Sequence, residues 1–350
     1  MAATSTTHII GAGLIGTSVG IGLSAEGWTV TIEDANAQAQ LLARSIGAGG
    51  ALGSEEPQLV IVAAPPSVSV DLVPQVLQRF PHAVVTDVAS VKAPVMRAAQ
   101  ASGHGSRYVG SHPMAGREVS GGLAAQGDLF RARPWVVCAG EADDVSVARV
   151  VEVAHALQAD AVFMSAAAHD LAVARVSHAP QAAASAVAAA LGTLDEADVA
   201  LAGQGLRDVT RIAGSPAGMW ADIARLNQAA LVDTLGHIVD ELNAVRTAPD
   251  IGEAMAKLVD KGRAEVARIP GKHGGTQREW EAVTVIVPDQ PGHLVRLLSD
   301  TAGVGVNVED ISIEHSPRQP VGLTTLWVLP QRVAELVEAL DEGGWVVAGS

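Results

Sequence analysis

HIIGAGLIGTSVG, residues 8–20, is the stretch from which the architecture follows. Three apolar, β-leaning residues run into Gly11-x-Gly13-x-x-Gly16, and the glycines open a segment of helical spacing that ends at Gly27. In a strand–turn–helix unit the first glycine allows the tight turn. The second lets backbone approach a pyrophosphate, and the third lets helix pack on strand. Phosphates then rest on the exposed N–H groups of the helix N-terminus. WTVTIED (28–34) reads as a second strand ending in Asp34, 18 residues past Gly16, with Glu33 beside it. An acid there accepts hydrogen bonds from the adenosine ribose hydroxyls and repels a 2′-phosphate. No arginine follows, because Ala35 and Asn36 come next. The expected cofactor is NAD, held by Gly11, Gly13, Leu14, Ile15, Gly16 and Asp34, with Ala64 and Pro65 beside it at the end of a third strand.

The alternation continues outward. LVIVAA (59–64) is a continuous apolar run, as expected of a strand buried on both faces, and Pro65-Pro66 stops it. AVVTD (83–87), RYVG (107–110), WVVCA (135–139) and AVFM (161–164) read as further strands, with helices over about 94–101 and 145–157. The order implies an α/β, Rossmann-like, doubly wound parallel sheet over residues 1–165. From 166 to 268 the strand signal disappears. Alanine- and leucine-rich segments broken at Gly192, Gly203, Gly205 and Pro216 predict an all-α substrate and dimerisation domain of about five or six helices. Residues 269–279 read as a linker, and 280–350 follow the β-α-β-β-α-β order of a ferredoxin-like α+β domain.

A chain of 350 residues exceeds one ordinary core, and an apolar content of 48% suits packed domains. With aromatics at only 3%, those cores must be built from Ala, Val, Leu and Ile. The net charge of -15 disfavours nucleic acid and anionic membrane as partners, so an anionic substrate must be caught by local arginines. Cys138 is the single cysteine, which fits a reducing compartment. MAATSTTH lacks the features of a signal peptide, and the apolar stretch 161–191 is broken by Asp170, Arg175, His178 and Pro180. The expectation is a cytoplasmic protein with no metal site.

In an open parallel sheet, ligands sit beyond the carboxyl ends of the strands. Ser90 follows the strand ending at Asp87, and His112 follows the strand ending at Gly110, within GSHPMAGREVSGG (110–122). Ser90 reads first as a helix N-cap before VKAP, a task compatible with a second one. His112 reads either as a structural histidine or as a base. None of the four lysines (Lys92, Lys257, Lys261, Lys272) lies on the helices between 166 and 200, so His112 is the best-placed base for oxidising an alcohol. Arg207 and Arg211, in GLRDVTRIAGSPAGMW (205–220), are spaced to share a helix face. Arg207 is expected to pair with Asp208 or Asp222.

These residues resemble the prephenate dehydrogenase family of tyrosine biosynthesis. The resemblance covers nearly the whole chain through GAGLIGTS, DVASVK (87–92), GSHPMAGRE (110–118), SHAPQ (177–181) and RDVTRIAGSPAGMW. It implies oxidative decarboxylation: hydride leaves the hydroxyl-bearing ring carbon for NAD, the hydroxyl proton goes to histidine, and carbon dioxide departs as the ring aromatises. By this resemblance His112 is the base, Ser90 orients it, and Arg211 binds a substrate carboxylate. Glu118, His178, Ser215 and Trp220 line the pocket. A homodimer is implied, with Trp220 contributed across it. Gln181 stands where the family often has a second histidine near the substrate's side chain, which leaves arogenate open beside prephenate.

The C-terminal segment resembles an ACT domain, through PDQPGHL (288–294) and NVEDI (307–311). Asp289, Gly292, His293, Leu294, Asn307 and Val308 are then the candidate contacts of an aromatic amino acid effector, with tyrosine expected first and phenylalanine second. A module used only for dimerisation is the alternative. Two other functions compete with the whole reading. One is a different NAD-dependent hydroxyacid dehydrogenase, disfavoured by the missing lysine. The other is a non-catalytic NAD and amino-acid sensor, disfavoured by the joint presence of Ser90, His112 and Arg211.

Overall fold

The computed structural model describes residues 6–116, 121–269, 279–315 and 321–348. The chain divides into two compact units, Met1–Asp240 and Glu241–Ser350. The first opens with β1 (Thr6–Ile10), α1 (Leu14–Ala25), β2 (Thr29–Glu33), α2 (Ala37–Ser45), β3 (Leu59–Val62), α3 (Pro66–Arg79), β4 (Val84–Asp87) and α4 (Ala93–Ala101). It continues through β5 (Tyr108–Pro113), β6 (Pro134–Cys138), α5 (Asp144–Ala156) and β7 (Asp160–Phe163). The strands form one sheet in the order β2-β1-β3-β4-β5-β6-β7. Every residue of β3 is buried, and its side chains alternate between two cores. Ile61 packs on one face with Ile9, Leu23, Ile32 and Trp135, while Val60 and Val62 pack on the other with Leu77, Val85 and Tyr108. A sheet covered on both faces by helices requires such two-sided apolar strands.

Five details differ from the sequence expectations. The sheet is not wholly parallel. β1 to β5 run one way, but β6 pairs antiparallel with β5, from Gly110↔Cys138 to Pro113↔Trp135, and β7 follows β6. Between β5 and β6 the described chain holds only the short 3₁₀ turn Gly122–Ala124, and without a crossover helix the strand returns along its neighbour. For the same reason β5 does not stop at Gly110. Its pairing with β6 carries it to Pro113, so His112 sits inside the strand, opposite Val136.

Ser90 is not the cap of α4. Lys92 occupies the N-cap position, and the Asp170 carboxylate accepts from the amides of Lys92 (2.7 Å) and Ala93 (2.8 Å). A cap supplied from 77 residues away leaves no local signature.

The helices of this unit are α6 (Ala166–Val173), α7 (Ala179–Ala190), α8 (Glu196–Val199), α9 (Gln204–Thr210), α10 (Ala217–Leu226) and α11 (Gln228–Arg246), the last crossing the boundary. A π-helical turn, Ala174–His178, joins α6 to α7. Arg207 and Arg211 do not share one helix, because α9 ends at Thr210 and Arg211 opens the 3₁₀ turn Arg211–Gly214. Nor does either acid expected beside Arg207 turn to it. Asp208 accepts from Gln204, while Asp222 takes the Ser67 amide at 3.0 Å and pairs with Arg225.

The second unit holds α12 (Ile251–Val266), β8 (Glu281–Pro288), α13 (His293–Gly303), β9 (Asp310–His315), β10 (Val321–Val328), α14 (Val333–Glu342) and β11 (Val346–Ala348). Its strands form an antiparallel sheet in the order β11-β8-β10-β9. β8 and β10 bury alternate residues, as one-sided sheets do, and Val283, Val285, Leu326 and Val328 meet Leu297, Leu336 and Leu340. Nearly all of the linker expected over 269–279 lies outside the described residues. No helix among the described residues is long and apolar enough to cross a membrane.

Candidate active site

The carboxyl ends of β4 and β5 are locked by a buried polar cluster. The Asp87 carboxylate accepts from the Tyr108 hydroxyl at 2.6 Å, from the Ala89 amide at 3.0 Å, and from the Lys92 ammonium. Lys92 also donates to the Ser111 carbonyl at 2.7 Å, and the Ser111 hydroxyl donates to the Asp87 carbonyl at 2.7 Å. Asp87, Lys92 and Ser111 are all fully buried. Burial, then the neighbouring Asp87 charge, pushes the Tyr108 phenol well above its usual pKa, so it stays a neutral donor. This cluster fixes the backbone at Ser111, immediately before His112.

His112 is partly buried, and its Nδ1 lies 2.9 Å from Nε2 of His169 on α6, the rings meeting edge to face. Nδ1 of His169 is in turn 2.8 Å from Oδ1 of Asp170. Burial, reinforced by His169, Lys92 and His178, holds the His112 pKa well below 6.5. A neutral imidazole is therefore present at neutral pH. His178, at the end of the π turn, places Nδ1 3.2 Å from the Asn227 side-chain amide, which also donates to the Asp170 carbonyl at 2.7 Å. Burial outweighs the attraction of Asp170 and lowers the His178 pKa to about 4. The Trp220 ring stands edge-on to His178 at 6.0 Å, and its Nε1 is buried without a hydrogen-bond partner in the chain.

Of the expected site residues, His112, His178 and Trp220 are thus brought together around α6, the π turn and α10. Gln181 is buried one turn past His178 and lies 3.3 Å from the Ser185 hydroxyl. Arg211 is exposed on a turn packed against α7, and the Ser215 hydroxyl closes that turn by donating to the Ile212 carbonyl. Ser90 is partly buried between β4 and α4, and Glu118 lies outside the described residues. The sequence reading missed His169, Asn227 and the capping role of Asp170. A histidine–aspartate pair inside an otherwise apolar helix was the available signal, since such groups rarely stay buried without partners.

The glycine turn fits a dinucleotide. A Cβ on Gly11, whose φ is +118°, would stand 2.2 Å from the Ala63 carbonyl, and one on Gly16 would stand 2.0 Å from the Gly11 carbonyl. A Cβ on Gly13 would meet nothing within 4 Å, which leaves open space beside the first turn of α1. That turn has no acidic residue and no side-chain cap, so it can receive a pyrophosphate. Asp34 accepts from the Ala12 amide (2.6 Å) and the Asn36 amide (2.7 Å) and keeps lone pairs for ribose hydroxyls. Pro65 and Pro66 start α3 beyond β3.

Comparison with known proteins agrees with this geometry. Residues 19–163 match the family model for the prephenate dehydrogenase nucleotide-binding domain, and 165–259 match that for the prephenate dehydrogenase dimerization domain. A probable prephenate dehydrogenase, NovF, of Streptomyces niveus is 33% identical, over 97% of this chain and 98% of its own. The chain belongs to the prephenate dehydrogenase family. A prephenate dehydrogenase of Lactococcus lactis is 26% identical over 83% of this chain and 84% of its own. A crystal structure of prephenate dehydrogenase from A. aeolicus, in complex with hydroxyphenyl propionate and NAD+, has the same fold. Its TM-score is 0.68 at 24% identity, covering 76% of this chain and 98% of that one. Both family models end before β8, so neither carries the ACT expectation; what stands there is the small antiparallel sheet.

The glycines separate stability from binding in this member of the family. Gly16→Ala should lower the melting temperature, because its Cβ enters the Gly11 carbonyl. Gly13→Ala should melt normally but lose NAD affinity in calorimetry, because its Cβ projects where the pyrophosphate must approach.

Proposed function

We infer that this chain is an NAD-dependent prephenate dehydrogenase, converting prephenate to 4-hydroxyphenylpyruvate with loss of carbon dioxide. The observation that carries this reading is His112, a neutral imidazole engaged by His169 at the carboxyl edge of a dinucleotide-binding sheet. NAD, when bound, accepts the hydride. His112 takes the proton of the substrate hydroxyl as the C–H electrons leave the ring carbon. Loss of carbon dioxide then returns an electron pair to the ring, and the phenolate oxygen reclaims the proton from His112.

Ser90, just past β4, orients the hydroxyl, and Arg211 clamps a carboxylate through its planar fork. His178 and Trp220 wall the pocket. With Nδ1 of His178 facing the Asn227 amide, its Nε2–H is left for the substrate. Arogenate is the second reading, on one observation: the buried Gln181 can exchange hydrogen bonds with a side chain but carries no charge.

The assembly is a homodimer, which the match to the dimerization domain supports. On α12, Ile251, Met255 and Val259 recur every four residues and are all exposed, a stripe that a partner would cover. The β-α-β-β-α-β order of residues 281–348 supports an ACT-like effector module. Gly292 (φ +88°) opens α13, Leu294 follows it, and His293 Nδ1 is buried without a partner beside Trp345. Asp289 and Asn307 are exposed nearby in sequence, and Val308 packs on the core.

Kinetics and calorimetry check this reading. NADH formation should be faster with prephenate than with arogenate, and NADP should support little turnover because Asp34 faces the 2′ position. His112→Asn should lose about 10²–10⁴-fold in kcat while binding NAD normally. Because the neutral form is the base and its pKa is depressed, the acid limb of kcat/KM should fall below pH 6.5. Activity should be kept down to that limb and lost as pH drops through it. Tyrosine should bind the full-length protein calorimetrically, and truncation near Gly275 should abolish its effect on rate while sparing turnover.

A further inference from the structure

Asp170, His169 and His112 stand in one line of hydrogen bonds, and the reaction as described uses only the last. We propose that His169 and Asp170 are positioning residues that set His112 as its Nδ1–H tautomer and accept the charge when Nε2 takes the substrate proton. The proposal rests on the reading of His112 as the base.

The line has one consistent direction. Asp170 is an acceptor: besides His169 it takes the backbone amides of Lys92 and Ala93 at the first turn of α4, where a helix favours negative charge. Burial alone would raise its pKa, but the bonds from His169, Lys92 and Ala93 outweigh burial and hold the carboxylate ionised. His169 must therefore donate from Nδ1, which makes its Nε2 the lone-pair nitrogen. At 2.9 Å that Nε2 can only accept, so His112 donates from Nδ1 and keeps its own Nε2 free for a proton. His169 and Asp170 are almost wholly buried, so water cannot substitute for either bond.

The surroundings explain why a second imidazole is useful. His112 is faced by the Lys92 ammonium at the start of α4, which disfavours a cation there, and by His178 from the π turn. When the substrate O–H bond breaks, its proton reaches His112 Nε2, and the Nδ1 proton passes to His169 Nε2. His169 then carries both protons beside the Asp170 carboxylate, and the hydride goes to NAD. After carbon dioxide leaves, the phenolate oxygen takes a proton back along the same line, so no proton is gained or lost overall. Asn227 holds the Asp170 carbonyl and His178 together, and the Asp87 carboxylate neutralises Lys92.

The test uses the full-length protein. ¹⁵N spectra of its histidines at neutral pH, without substrate, should show His112 protonated at Nδ1 and bare at Nε2. In Asp170→Asn the amide can donate to His169 Nδ1, which should reverse the tautomer order along the line. In kinetics, His169→Phe should lose about 10²–10⁴-fold in kcat with KM and NAD affinity unchanged. His169→Gln, whose amide oxygen still accepts from His112, should recover part of that loss. If His169→Phe melts early, the wild-type spectrum and the glutamine variant carry the test. An Nε2–H tautomer on wild-type His112, or wild-type kcat in a folded His169 variant, overturns the proposal. If His112→Asn is still inactive, the base reading survives that failure; if His112→Asn is fully active, both fall.

Discussion

A carboxylate this deeply buried must collect donors or give up its charge, and Asp170 collects three. Two are amides at the start of α4 and one is His169, while its backbone carbonyl receives Asn227. The helical layer is therefore pinned to the start of α4, beside the carboxyl ends of β4 and β5. Each partner is also a site element or adjoins one. Lys92 braces Ser111, His169 faces His112, and Asn227 faces His178. Neutralising Asp170 would strip a cap from α4 and release two imidazoles together, so stability and chemistry are not separable at this residue.

Much of this was legible in the chain. The glycine spacing, the acid at the end of β2 and the apolar run of β3 are local signals, and each maps to a local geometric need. The order of elements in the C-terminal unit was legible for the same reason, since β8 and β10 alternate buried and exposed residues as one-sided strands must. What was not legible is made by partners distant in sequence. The direction of β6 depends on which strand it meets. The cap of α4 comes from α6, and the break between α9 and Arg211 has no proline or glycine at it to announce it.

The histidine question shows the same limit. GSHPMAGREVSGG marked His112 for its company of glycines, yet its hydrogen-bond partner is His169, and through it Asp170, 57 and 58 positions further on. Both residues interrupt an alanine-rich helix that otherwise reads as plain packing. A polar pair in such a helix is worth following, because burial is tolerated only when each group is satisfied.

The reversal of β6 has a consequence for how this scaffold can vary. A parallel neighbour would have needed a crossover helix packed on a face of the sheet. The antiparallel return instead keeps the described residues 114–116 and 121–133 at the carboxyl edge. Gly122 lies against Ala12 and Thr17 of the glycine turn there, and the Gln126 amide donates to Ser18. The described part of the segment therefore overhangs the glycine turn like an awning. Ala115, Leu129 and Phe130 tie it to the core, while changes at exposed positions such as Leu123 fall over the cofactor's doorway.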